Sequence, residues 1–269
     1  MPELPEVETT RRGIEPHVLG RRIEGWIIRD RRLRWPIELP AALVGQRVGR
    51  VARRAKYLGL LTEAGGVIVH LGMSGSLRRV APERAAGTHD HVDLLFEGGV
   101  CLRYTDPRRF GSIHYQPGDW RSHWLLASLG PEPASAEFSG SYLHARSRKR
   151  RVAVKSFLMD GRIVVGVGNI YANEALFAAG IRPRRAAGRL TLQECERLAE
   201  AVRTTLTRAI EEGGTTLRDF VGGDGRPGYF AQQLAVYGRE GERCGRCKAA
   251  LKSVRIGARA TVYCPRCQR

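Results

Sequence analysis

Three textures succeed one another along the 269 residues. Leu4, Val7, Ile14 and Val18 fall roughly on one helical face, so an amphipathic helix opens the chain. Pro5 suits its first turn, and Glu6 and Glu8 suit the positive end of its dipole. From Arg21 to about Tyr115 the period shortens. RIEGWIIRD, RVGRVARRA, KYLGLLTE, GVIVHLG, HVDLLFE and VCLRYTD are separated by turn-like glycines. At least six short strands so spaced predict an all-β sandwich or barrel, which with the leading helix makes a first domain, residues 1–131.

GPEPASAEFSG, residues 130–140, has the composition of a linker. Helical texture follows it. YLHARSRKRRVAVKSFLMD is basic and amphipathic, and NIYANEALFAAG is a short apolar helix closed by Gly180. TLQECERLAEAVRTTLTRAIEEGG is a long helix with a capping-type start at Thr191. Gly213 to Gly228 holds too many glycines for a stable element, so it is expected to be a mobile loop, either a lid or a connection. KSVRIGARATVY then alternates in strand fashion around a glycine, a hairpin that would project Arg255 or Arg259. The expected divisions are a helical region, 132–237, and a terminal module, 238–269.

That module carries the strongest chemical signal. Cys244 and Cys247 form one CxxC knuckle, and Cys264 and Cys267 form a second. Two such knuckles supply tetrahedral sulfur ligation to one Zn2+, and four protein ligands leave no open position. The metal is therefore expected to be structural. In a module this small, metal affinity stands in for burial as folding energy. Cys101 and Cys195 stand alone and are expected to be buried thiols.

Charge narrows the partner. The formal net charge is +18, which suits a polyanion; nucleic acid is the first candidate and an anionic membrane surface the rival. No apolar run reaches the ~20 residues of a membrane span, and MPELPEVETT lacks the apolar core of a signal peptide. A cytoplasmic protein is expected. Lysine occurs only at 56, 149, 155, 248 and 252, so reactive amines are few. Another amine lies at the start. Removal of the initiator methionine would leave Pro2 as a secondary amine, able to attack a carbonyl-like carbon and form an iminium. On its own, the stretch from Pro2 to Glu8 also reads as a simple helix start.

MPELPEVET, RRAKYL, HLGMSGSL, HDHVDL, YTDPRRFG, LGPEP, GVGNIYANEALF, GGTTLRDF and the two-CxxC ribbon occur in this order. Together, over essentially the whole chain, they resemble the formamidopyrimidine-DNA glycosylase family of bacterial repair enzymes. The resemblance implies an α+β multidomain fold: an N-terminal helix plus β-sandwich, a helical domain with a helix–two-turn–helix element, and a C-terminal zinc-ribbon β-hairpin. It implies a monomer acting on double-stranded DNA that contains oxidised bases or abasic sites. Oxidised purines such as 8-oxoguanine and formamidopyrimidines would be excised and the strand nicked by β,δ-elimination.

The resemblance also assigns roles. Pro2 would be the nucleophile at C1′, Glu3 the general acid/base and Glu6 its support. Lys56, in the strand RRAKYLGLL, would bind phosphate and assist elimination. Arg259 would grip phosphates, stabilising the leaving group electrostatically since arginine stays protonated. Met73, Arg108 and Phe110 would fill the hole left by the extruded base, with Arg108 able to hydrogen-bond the orphaned partner. Without the resemblance, Met73 and Phe110 read as core residues, and Arg108 and Arg109 beside Asp106 as a surface ion pair. Arg109, His89 and Arg150 fall among the DNA-contacting positions. Asn169 opens a helix whose exposed amides suit a phosphate, or it is a plain N-cap. Residues 215–237 would be the lesion-recognition loop. Arg150 stands where lysine is expected and Leu251 where a β-branched residue is expected; neither touches the proposed chemistry.

Two alternatives remain. An endonuclease VIII-like glycosylase for oxidised pyrimidines shares the Pro-Glu start and the zinc hairpin. Leu4 and the complete Met73, Arg108 and Phe110 set favour the purine-lesion enzyme. A non-catalytic zinc-ribbon DNA-binding protein explains charge and ribbon, but leaves the amine beside Glu3 without a purpose.

Overall fold

The structure is a computed structural model, and it describes residues 2–214 and 233–269. Most of the expected lesion-recognition loop and Met1 thus lie outside the described residues. The chain divides into two units. The first is 1–127 with 212–231; the second is 128–211 with 232–269.

In the first unit α1 (Leu4–Val18) leads into eight strands: β1 (Ile23–Ile28), β2 (Arg50–Arg54), β3 (Tyr57–Leu61), β4 (Gly65–His70), β5 (Ser76–Val80), β6 (Asp90–Phe96), β7 (Val100–Thr105) and β8 (Ser112–Pro117). The six expected strands are present, and β5 and β8 are added. Two antiparallel four-stranded sheets result, ordered β1-β6-β7-β5 and β2-β3-β4-β8. One apolar core draws on both sheets and on α1: Val51, Leu58, Leu60 and Val69 from one, Val92, Leu94, Leu102 and Tyr104 from the other, and Val7, Ile14 and Val18 from the helix. This is the sandwich with a leading helix. The β1–β6 and β6–β7 ladders each carry a register shift, the place where a strand bends.

In the second unit lie α3 (Gly140–Ser147), α4 (Val154–Leu158), α5 (Asn169–Ala178), α6 (Leu192–Glu211) and the hairpin β9 (Lys252–Ile256)–β10 (Arg259–Tyr263); α2 (Trp124–Ala127) closes the first. The long helix starts as expected. Thr191 Oγ1 accepts from the Glu194 amide at 3.2 Å, and Glu194 accepts from the Thr191 amide at 2.9 Å, a complete capping box. Gly180, at φ +71°, closes α5 in the left-handed conformation that glycine tolerates.

The stretch YLHARSRKRRVAVKSFLMD, read as basic and amphipathic helical texture, forms two helices, α3 and α4. Lys149 turns left-handed at φ +60°. Residues 150–154 then bond across to 185–188: Val154 N donates to Arg185 O, Ala187 N to Val152 O, and Gly188 N to Arg150 O. Partners distant in sequence outcompete helix continuation, which periodicity cannot register.

Candidate active site and metal centre

Pro2 and Glu3 are buried immediately before α1. Glu3 is the N-cap residue, and its amide donates to Glu6 Oε2 at 2.8 Å, so one carboxylate of the pair fixes the backbone of the other. Both side chains are nearly inaccessible, at 1% and 2%. Two carboxylates drawn out of water at a helix start, beside a Pro2 nitrogen that becomes an amine once Met1 is removed, can carry proton-transfer chemistry.

Lys56 does not lie within a strand, as expected from RRAKYLGLL. It sits in the two-residue turn between β2 and β3, where Ala55 adopts φ +56°. Its neighbourhood holds a residue that the sequence did not single out. His70, at the end of β4, stacks on Tyr57 with ring centroids 4.7 Å apart. Burial, then the charges of Lys56 and Arg34, push His70 down to about 4. Its Nδ1 accepts from the Gly72 amide at 3.2 Å. The other nitrogen of this neutral ring therefore carries the proton, a donor set among cations and suited to an anion.

Asp106, fully buried, organises the next surface. It accepts from Ser74 Oγ at 2.7 Å, from the amides of Arg108 at 3.2 Å and Gly111 at 2.9 Å, and from Tyr104 Oη at 3.3 Å. Burial and then Asp106 push the Tyr104 phenol well up, so it remains a donor. A Cβ on Gly111 would lie 1.7 Å from Tyr104 Oη, so only glycine lets the chain pass. The turn bearing Met73 and the loop bearing Arg108 and Phe110 are thereby locked together, and His89 O joins them by accepting from the Asp106 amide at 3.0 Å.

The expected ion pair of Arg108 and Arg109 with Asp106 is absent, because the Asp106 oxygens are taken by a hydroxyl, a phenol and backbone amides. Arg109 instead pairs with Asp30 at 2.5 Å, and the Arg108 guanidinium lies over the Phe110 ring at 5.1 Å. Nor is Phe110 a core residue: it is 46% exposed, and Met73 is half-buried.

In the second unit Arg150 is exposed in the break between α3 and α4. Asn169 is the first residue of α5, with Gly168 as N-cap, so it does not cap the helix. Its Oδ1 accepts from Lys155 Nζ at 2.6 Å. Lys155 is 1% exposed and also donates to Ala260 O at 2.9 Å and Thr261 Oγ1 at 2.7 Å. A buried ammonium thus ties α4, α5 and the hairpin strand that begins at Arg259. Val262 N donates to Asn173 Oδ1 at 2.9 Å, and Glu174 accepts from the amides of Ala235, Val236 and Tyr237 at 2.8, 3.0 and 2.8 Å. Lys155 stands out only as one of few lysines, inside the apolar run VAVKSFL; Asn173 and Glu174 carry no such signal.

The hairpin forms as expected. Gly257 and Ala258 are its left-handed turn, at φ +55° and +59°, the pair of signs of a type I′ turn. Arg255 and Arg259 are both exposed. At the hairpin's base the four cysteines converge, unlinked by disulfides, with all four Sγ within 4.8 Å of one another. Cys244 and Cys267 sulfurs are 3.9 Å apart and those of Cys247 and Cys264 3.4 Å. A zinc tetrahedron with ~2.3 Å bonds has edges of about 3.8 Å. The four sulfurs fit one structural zinc ion, and they fill its shell. Cys244, Leu251, Val262 and Cys264 share a small core with Phe177 and Val236, so the module borrows apolar partners from α5. Leu251 serves this core, as any branched aliphatic would.

Known proteins resemble the chain along its length. Family models match at residues 1–113 (formamidopyrimidine-DNA glycosylase N-terminal domain), 129–221 (formamidopyrimidine-DNA glycosylase H2TH domain) and 241–269 (zinc finger found in FPG and IleRS). The chain is 60% identical to formamidopyrimidine-DNA glycosylase of Stutzerimonas stutzeri, covering 100% of each. Among solved structures it is similar to the MutM (Fpg) protein of Thermus thermophilus, at 41% identity and TM-score 0.88 over 99% of this chain and 98% of that one. It is also similar to a Lactococcus lactis Fpg mutant in complex with Fapy-dG-containing DNA, at 31% identity and TM-score 0.92 over 100% of both.

Proposed function

The chain belongs to the formamidopyrimidine-DNA glycosylase family, and from that premise we propose how its residues excise oxidised purines from duplex DNA and nick the strand. Pro2, freed of Met1, attacks C1′ of the damaged nucleotide. The glycosidic bond breaks, the base leaves, and an iminium joins the Pro2 nitrogen to the opened sugar. Glu3 moves the protons that open the ring and release the base, and Glu6 holds Glu3 in place. Loss of a C2′ proton then expels the phosphate on C3′, and a second elimination expels the one on C5′.

Lys56 and Arg259 hold phosphates and stabilise them as they leave; Arg259 acts by charge alone. His89, Arg109, Arg150 and Asn169 contact the duplex. Met73, Arg108 and Phe110 fill the vacated stack: extrusion costs a few kcal/mol, which an apolar wedge offsets. The exposed Phe110 ring under the Arg108 guanidinium supports that reading. The enzyme works in the cytoplasm on nucleoid DNA; no helix among the described residues is long and apolar enough to cross a membrane.

The observation that carries the proposal is the buried Pro2–Glu3 pair whose backbone Glu6 fixes. Neither the pyrimidine-lesion alternative nor the non-catalytic one is favoured by the family's named members. Borohydride should trap the protein covalently on duplex carrying 8-oxoguanine opposite cytosine. Pro2→Gly should abolish trapping, and so should protein that keeps Met1, whose Pro2 nitrogen is an amide. Trapping by Pro2→Gly at the parental rate would shift the nucleophile to Lys56. Trapping with a pyrimidine lesion alone would favour the endonuclease VIII-like alternative.

A further inference from the structure

A second cationic feature of the second unit has no place in that chemistry. A cavity of about 440 Å³ is lined by Arg182, Arg184, Arg185 and Arg269 together with Val254 and Tyr263, and no acidic side chain lines it. Arg185 is neutralised by Glu194, at 2.5 and 2.9 Å, and also donates to Arg189 O. Arg182 and Arg184 are exposed, and no carboxylate among the described residues pairs with either. The Arg182 guanidinium lies over the Tyr263 ring at 5.4 Å, which orients it.

The backbone beneath is fixed from several sides. Ile181 N donates to Leu176 O, Arg182 N to Arg269 O, and Lys155 N to Pro183 O. Gln268 Nε2 donates to Ile181 O at 2.9 Å. Arg182 and Arg184 share this concavity with no side-chain carboxylate paired to either, and the fixed backbone keeps the two like charges near one another. Such an arrangement is preorganised for a group with several oxygens and negative charge, which arginine forks grip in bidentate fashion.

We infer that Arg182 and Arg184 form a phosphate-binding site for DNA backbone other than that held at the lesion. The inference rests on the glycosylase reading for the presence of DNA. Asn169 stands at the start of α5 and the cavity beyond its C-terminal end. Ten residues at 1.5 Å each put about 15 Å between them. One strand carries a phosphate about every 3.4 Å of axis, so the phosphate taken here is not the one proposed for Asn169. A net charge of +18 spread beyond the catalytic residues makes DNA the polyanion at hand.

The test uses the full zinc-loaded chain and undamaged duplex. In Arg182→Gln/Arg184→Gln the slope of log affinity against log salt should fall by about 0.9, the value for the one phosphate that the two arginines share. Trapping on saturating 8-oxoguanine duplex should keep its parental rate. Arg184→Glu alone, at an exposed side chain, should weaken binding more than Arg184→Gln. Zinc content reports that each variant is folded. An unchanged slope overturns the site, as does tight binding of inorganic phosphate to free protein that duplex does not displace. A parent protein that never traps would overturn the glycosylase reading and leave the slope comparison valid.

Discussion

Lys155→Met isolates what pins the zinc hairpin to the helices. The substitution keeps most of the side chain's length and apolar stem and removes only the ammonium. Three hydrogen bonds are lost, to Asn169 Oδ1, Ala260 O and Thr261 Oγ1, at 2.6, 2.9 and 2.7 Å. Hydrogen bonds to a charged donor contribute ~1.5–3 kcal/mol each, net of the water they replace, so three independent bonds would amount to about 5–9 kcal/mol. These three share one donor and do not add in full. A net destabilisation of about 3–5 kcal/mol is expected, or a Tm lower by roughly 10 °C in a chain of this size.

The three acceptors belong to different elements, so the loss should be local as well as global. Urea titration of the parent and Lys155→Met proteins gives the free energy. Hydrogen exchange should show faster opening of β10 around Thr261 and of the first turn of α5, with zinc content unchanged. Thr261→Val supplies the control: combined with Lys155→Met it should cost less than the two single effects added, since they share a bond. A Lys155→Met protein as stable as the parent, or additive single costs, would refute the claim that this ammonium holds the hairpin.

Three further outcomes follow from particular contacts. A strong chelator should unfold the four-cysteine module, free the Phe177 and Val236 surface it covers, and abolish DNA binding; metal-free protein that binds as well as the parent would contradict a structural zinc. Gly214 sits at φ +81° with a hypothetical Cβ 3.1 Å from Glu6 Oε1, so Gly214→Ala should cost about 1–2 kcal/mol in stability and displace Glu6, slowing borohydride trapping; parental trapping rates would refute the link. His70 titrates at about 4 in the folded chain against 6.5 when unfolded, a depressed value, so its contribution is complete above pH 6.5 and is lost as the pH falls toward 4. At ~1.4 kcal/mol per pH unit that loss reaches about 3 kcal/mol, and His70→Asn, which keeps an acceptor for the Gly72 amide, should flatten the fall in stability across this window.

What could be read from the chain alone divides by the range of the constraint. The cysteine knuckles, the hairpin around Gly257 and the capping box at Thr191 are encoded within a few residues, and the structure forms each of them. The break after α3 is set by residues 185–188, more than thirty positions away, and the helical texture of the stretch carries no sign of it. The loop of Met73, Arg108 and Phe110 shows the same limit. Asp106 looked like an ion-pair partner because arginines flank it, yet its oxygens serve Ser74, Tyr104 and backbone amides. Helix α5 carries the point furthest. NIYANEALF reads as a short apolar helix, and its polar residues Asn173 and Glu174 are themselves buried at 0% and 6%. A helix buried on all sides has no solvent face, so each polar side chain on it must find a partner elsewhere in the chain. Asn173 finds the hairpin at Val262 and Glu174 finds residues 235–237, the last of the expected recognition loop. The polar residues that periodicity would discard are the ones that join the helix to the hairpin and anchor that loop's far end.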